Sequence, residues 1–128
     1  MAKSKAPKRR KVSVWVGWVR HDPKVDLLKD LCGVAHYDID SQEVMVDDKR
    51  WREQPVRALI APLSYAESYV DAVVAAAKDK GWDKALYVVA QYDFVYDPKK
   101  VKRKVAPDPV FLGAFDYDDE GAGAEMDW

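Results

Sequence analysis

The chain has 128 residues, 21 basic against 22 acidic side chains, a formal net charge of −1 and 48% hydrophobic residues. That length suits one domain with one core, and the apolar share is too high for a disordered chain. No apolar run approaches the about 20 residues of a membrane helix, no apolar stretch follows the basic N-terminus as a secretory signal requires, and the lone Cys32 allows no internal disulfide, so a cytoplasmic location is expected.

Residues 1–11 hold six basic residues and no acid, which predicts a basic flexible tail ahead of a single domain over 12–118. Val12, Val14 and Val16 alternate with Ser13, Trp15 and Gly17, a pattern for a strand covered on both faces. Asp22 and Pro23 form an N-cap and first-turn pair. Val25, Leu28, Leu31 and Cys32 then recur at helical spacing until Gly33, which predicts a short amphipathic helix. Residues 35–39 and 44–46 are brief β-prone runs joined by the polar turn 40–42, a predicted hairpin.

Val56, Leu59 and Ile60, between Pro55 and Pro62, predict one or two helical turns. Ser64 and Glu67 fit a capping box opening a longer helix that Gly81 closes. Its apolar stripe is Tyr65, Tyr69, Ala72, Val73 and Ala76, with Val70, Val74 and Ala77 alongside. Two β-rich runs follow, 85–96 and 110–117, predicted as a terminal antiparallel hairpin around an exposed basic loop bounded by Pro98, Pro107 and Pro109. From Asp116 onward there are six acids and no base, and 119–128 reads as an acidic flexible tail. The element order predicts an α+β fold: a mixed or antiparallel sheet packed against two main helices in a single domain.

Chemistry-bearing patterns are sparse. A catalytic base is most often histidine, and only His21, beside the Asp22 cap, and His36, in a predicted strand, are present. Cys32 and His36 are four apart, but Gly33 ends the helix between them, and Cys32 reads as a buried side chain. Asp38, Asp40 and Glu43 spell D-x-D-x-x-E without the glycine or length of an EF-hand, so no metal site is assigned. No phosphate-binding or nucleophile-elbow motif occurs, so neither a catalytic residue nor a cofactor is expected. Large rings stand among acids instead, at Trp15, Trp18, Trp51, Tyr92, Phe94, Tyr96, Phe115, Tyr117 and Trp128. Such rings either fill a core or anchor a protein partner.

V-S-V-W-V-G (12–17), Y-D-I-D-S-Q-E (37–43), L-S-Y-A-E-S-Y (63–69), Y-V-V-A-Q-Y-D-F-V-Y (87–96) and F-L-G-A-F-D-Y (111–117) follow one another in an order that resembles the immunity protein 22 family of bacterial polymorphic-toxin systems. The resemblance covers 12–117 and implies a non-catalytic antidote that binds a cognate toxin domain, such as a nuclease, and occludes its active site or substrate cleft. The candidate toxin-binding residues are Tyr37, Asp38, Asp40, Glu43, Asp116, Tyr117 and Asp118, since an acidic, aromatic surface can imitate a phosphate backbone.

The alternative is a small nucleic-acid-associated module using Lys8, Arg9, Arg10, Lys11, Lys99, Lys100, Lys102, Arg103 and Lys104. The near-neutral whole and the acidic end argue against nucleic acid as partner. No membrane partner is implied. A homodimer through an open sheet edge is a further partner class.

Overall fold

A computed structural model describes residues 10–46, 52–101 and 104–118. Its first strand, β1 (Arg10–Gly17), sends Val12, Val14 and Val16 to one face and Ser13 and Trp15 to the other, all of them buried. Alternation along a strand makes a two-faced core element of this segment. Both its edges are used as well: β5 (Tyr87–Tyr92) and β6 (Val110–Tyr117) flank it, each antiparallel. With β2 (Gln42–Val46) on the outer side of β5, the four-stranded sheet runs β2-β5-β1-β6. The fold is α+β, a single compact domain.

One face of the sheet carries helix α1 (Val56–Ile60) and helix α2 (Val70–Asp79). Val56, Leu59, Ile60, Tyr69, Val73 and Ala77 pack there on Val12, Val14, Val16, Val88 and Ala90. Each fully buried Val or Leu contributes about 1.5–3 kcal/mol, which makes this layer the main source of stability. The short pair β3 (Gln54–Pro55) and β4 (Lys84–Ala85) closes the same side. The opposite face has no long helix. Leu28, Cys32 and Val34, with Tyr96 from the connection 93–109, cover Trp15, Tyr87 and Val89. Tyr96 donates its phenol to the Cys32 carbonyl (2.7 Å) and the Ala106 amide donates to Leu31 (2.8 Å), lacing that connection down.

Several expectations are corrected. The terminal β-runs do not form a hairpin with each other, because β1 lies between them and the 17-residue connection 93–109 crosses the open face instead. The hairpin expected over 35–46 is absent, since 35–38 is not a strand and β2 pairs with β5. The first helix shrinks to a single π-helical turn, Leu27–Leu31, capped by Asp26, whose carboxylate accepts from the Leu28 and Lys29 amides (3.1 and 2.9 Å). Asp22 serves only a local turn, accepting from the Lys24 amide.

The capping box at Ser64 is not made either. Ser64 bonds to Glu43, a 3-10 turn at Ala66–Ser68 follows, and α2 starts only at Val70. Its buried stripe is Tyr69, Val73 and Ala77, while Ala72 faces solvent. Arg10 and Lys11, assigned to the tail, are strand residues of β1. Residues 1–9 and 119–128, where the tails were expected, lie outside the described residues.

Candidate functional site

The antiparallel register brings the start of β2, the end of β5, the start of β1 and the end of β6 to one end of the sheet. Two stretches that carry the candidate residues, 37–43 and 116–118, therefore share that end. They sit at opposite edges, three strand spacings or about 14 Å apart. The turn 64–68 bridges the gap. Its Ser64 amide and hydroxyl donate to Glu43 (2.9 and 2.6 Å), and its Ser68 hydroxyl accepts from the Asp118 amide (2.9 Å).

Under that bridge lies a cluster of four tyrosines. Tyr92 stands edge-on to Tyr69 (6.2 Å), Tyr65 (6.0 Å) and Tyr117 (5.1 Å), and Tyr65 stacks on Tyr117 at 5.4 Å with planes 27° apart. The Tyr92 hydroxyl accepts from Tyr69 (2.6 Å) and shares its one proton between the Ser64 carbonyl (2.7 Å) and Glu43 Oε1 (3.1 Å). Burial, then the Tyr69 contact, holds the Tyr92 phenol far above its ordinary range, and burial pushes Tyr69 up to about 12. These phenols stay protonated, as members of a buried hydrogen-bonded chain should.

The candidates thus separate into scaffold and surface. Tyr117 is only 3% exposed and donates to Asp93 (2.7 Å), and Glu43 is occupied by Ser64 and Tyr92, so both hold the end together from inside. Tyr37 is half-buried and donates to the cap Asp26 (2.8 Å); burial, reinforced by that bond, pushes its phenol up to about 12. Asp116 alternates onto the far face, where it pairs with Lys11 (2.7 Å). Asp38 and Asp40 are exposed, Asp38 capping the 3-10 turn Ile39–Ser41, and Asp118 is exposed at the end of β6.

Three residues were missed by the sequence reading: Ile39, 60% exposed between two acids, Tyr65, 41% exposed, and Glu67, exposed in the bridging turn. Tyr65 was assigned to a helix stripe, yet it has a left-handed backbone with φ 59°. A bulky residue in that region is rare, and such strain concentrates where a side chain has a task. The only sequence signal was the hydroxyl-rich setting S-Y-A-E-S, which favours turns as much as caps.

The basic set is divided. Arg10 pairs with Asp93 (2.7 Å) and lies over the Tyr117 ring, Lys11 pairs with Asp116, and Lys99, Lys100 and Lys104 are exposed. Lys8, Arg9, Lys102 and Arg103 lie outside the described residues, as do Trp51 and Trp128 among the rings. Of the other rings, Trp15, Tyr92 and Tyr96 are core, Phe94 and Phe115 are partly buried, and Trp18 is 45% exposed beside Trp82.

His21 Nε2 sits 3.2 Å from Asp108 Oδ1, next to a cleft of about 200 Å³, while His36 is exposed in a loop. Asp108 also accepts from the Tyr87 phenol (2.9 Å) and the Trp18 amide (2.6 Å), a set that pins the end of β1. Cys32 is buried, and burial followed by the nearby Asp108 and Asp26 pushes its thiol up to about 12. Among the described residues no group of three or more His, Cys, Asp or Glu gathers to hold a metal ion, and no helix is long and apolar enough to cross a membrane. No family model, curated protein or solved structure matches the chain.

Proposed function

We propose that this chain is an immunity protein that binds a basic cognate toxin domain through the tyrosine-centred end of its sheet and blocks that domain's substrate cleft. The observation that supports this most is Tyr65, an exposed ring in a left-handed turn, braced by stacking on buried Tyr117, at the same end of the sheet as exposed Asp38, Asp40, Glu67 and Asp118. A rigid aromatic anchor inside a charged rim is the arrangement that gives protein interfaces their affinity and steering. The charge agrees in sign: the exposed charges are acidic, and Arg10, which lies over the Tyr117 ring, is paired with Asp93. The resemblance to the immunity protein 22 family points the same way, and its occluding mechanism requires no catalytic group in this chain.

Co-expression with the C-terminal domain of the toxin encoded beside the gene tests the reading, with growth and pull-down scored together. Rescue with a stable complex is expected, and replacing Asp38, Asp40 and Asp118 by lysine should abolish both while leaving the fold intact. A wild-type chain that neither rescues nor forms a complex would overturn the proposal.

A further inference from the structure

On the helix-free face, residues 33–36 and 94–101 wall an open groove of about 730 Å³. Val34, Phe94, Tyr96 and Val101 make its sides apolar, and Val95 projects into solvent at 58% exposure. Exposed His36 and Lys100 also line it, as does half-buried Asp97, whose carboxylate accepts from the Lys99 amide, and Lys99 and Lys104 are exposed in the same connection, three lysines to one acid. A groove that is apolar within and cationic at its border fits a peptide that alternates apolar and acidic side chains.

We propose that the occupant is residues 119–128 of this same chain, with Met126 and Trp128 against the apolar walls and Glu125 and Asp127 facing Lys99, Lys100 and Lys104. Three observations carry this. The segment D-E-G-A-G-A-E-M-D-W has four acids and no base, and its two large apolar side chains fall at its end, interleaved with acids. Its point of departure is at the end of the sheet where the groove begins: Tyr117, the last residue of β6, bonds to Asp93, next in the chain to Phe94 of the second wall, while the Asp118 amide donates to Ser68 on the helix-bearing side, so the segment has to round the sheet end to reach the groove. Finally, ten residues reach at most about 33 Å, enough to round the end of the sheet and run along the groove. The acidic end and the basic connection, opposed in the sequence, become partners, independently of any toxin-binding surface.

The test uses the full chain as a monomer, treated with a zero-length carbodiimide that joins amines to carboxylates. Within-chain links from Glu125 or Asp127 to Lys99, Lys100 or Lys104 are expected. Their yield should fall several-fold as salt rises from about 0.01 M to about 1 M and the screening length contracts from about 30 Å to about 3 Å. In parallel, Trp128→Ala should shift the backbone amide resonances of 33–36 and 94–101 and leave those of α2 in place. Links only to lysines of residues 1–11, links found only between two chains, or unmoved amides along the groove would each overturn the proposal.

Discussion

Tyr65 and Asp93, the two non-glycine residues with left-handed backbone among those described (φ 59° and 60°), meet through one ring. Tyr65 stacks on Tyr117, and the Tyr117 phenol donates to Asp93. Aspartate tolerates this conformation, whereas a tyrosine there costs about 1–2 kcal/mol. Tyr65→Gly should therefore leave stability almost unchanged, because relief of strain offsets a stacking loss of about 0.5–1.5 kcal/mol. Affinity for the proposed partner should drop by at least about 30-fold, the effect of losing a hot-spot ring. Urea denaturation alongside a binding titration checks both, and a loss of stability without a loss of affinity would make Tyr65 a packing residue.

Glu43 should behave in the opposite way. Its carboxylate accepts from the Ser64 amide, the Ser64 hydroxyl and, more weakly, the Tyr92 phenol, so Glu43→Ala unties the turn at Ser64 from β2 and leaves Tyr92 with the Ser64 carbonyl as its acceptor. A loss of about 1–2 kcal/mol is expected in chemical denaturation, since the Ser64 donors can turn to water. Asp38→Ala and Asp40→Ala should each cost about 1 kcal/mol or less, since Asp38 loses only a turn cap and Asp40 is exposed.

Gly17 is enforced by a neighbour. A Cβ there would stand 2.0 Å from the Tyr87 ring, which is 2% exposed and anchored by its phenol on Asp108. Gly17→Ala should cost about 1–3 kcal/mol by overpacking. Asp108→Ala, which removes the acceptor of the Tyr87 phenol and the Trp18 amide, should cost about 2–3 kcal/mol. If the two changes act through the same ring, the double variant should lose less than the sum of the singles, a coupling that a double-mutant cycle reads directly.

Alkali should loosen the protein from within. The Cys32 thiol, ordinarily near 9.0, is held up to about 12 by burial and then Asp108, and burial likewise holds Tyr69 from 10.0 up to about 12. In each case the folded state binds the proton more tightly than the unfolded chain. The resulting stability is fully present below about pH 9 and is lost as pH rises from 9 towards 12. Denaturant midpoints across that window should fall, and Cys32→Val should flatten the first part of the fall. The thiol should also resist alkylation at neutral pH until the chain unfolds.

Strands β1, β5 and β6 and helix α1 were legible as runs of β-branched residues or as apolar spacing between prolines. Their pairing was not, although one clue was present. A strand with Val12, Val14 and Val16 on one side and Trp15 on the other needs two covered faces, as a central strand does, and placing β1 there separates β5 from β6. What failed were the local caps. Ser64 and Asp22 look like helix starts, but Glu43, twenty-one residues away, takes the Ser64 donors, and Asp22 holds only the Lys24 amide of a local turn while the helical turn begins after Asp26, which caps it. Distant partners outcompete local hydrogen bonds wherever tertiary packing sets the approach. For the same reason, sequence could mark acids as candidates without separating surface Asp38 from the inward-bonded Glu43.

The register of β6 against β1 slips between Val14 and Trp15, which face Gly113 and Phe111, so Leu112 stands as an extra residue in the outermost strand. That bulge bends the edge and divides its outer hydrogen-bonding row, so an incoming strand meets two short ladders and no continuous eight-residue one. At the other edge, β2 offers only five residues. Among the described residues, a strand added at either edge would therefore meet only a short ladder, which disfavours growth of the sheet by edge-to-edge pairing.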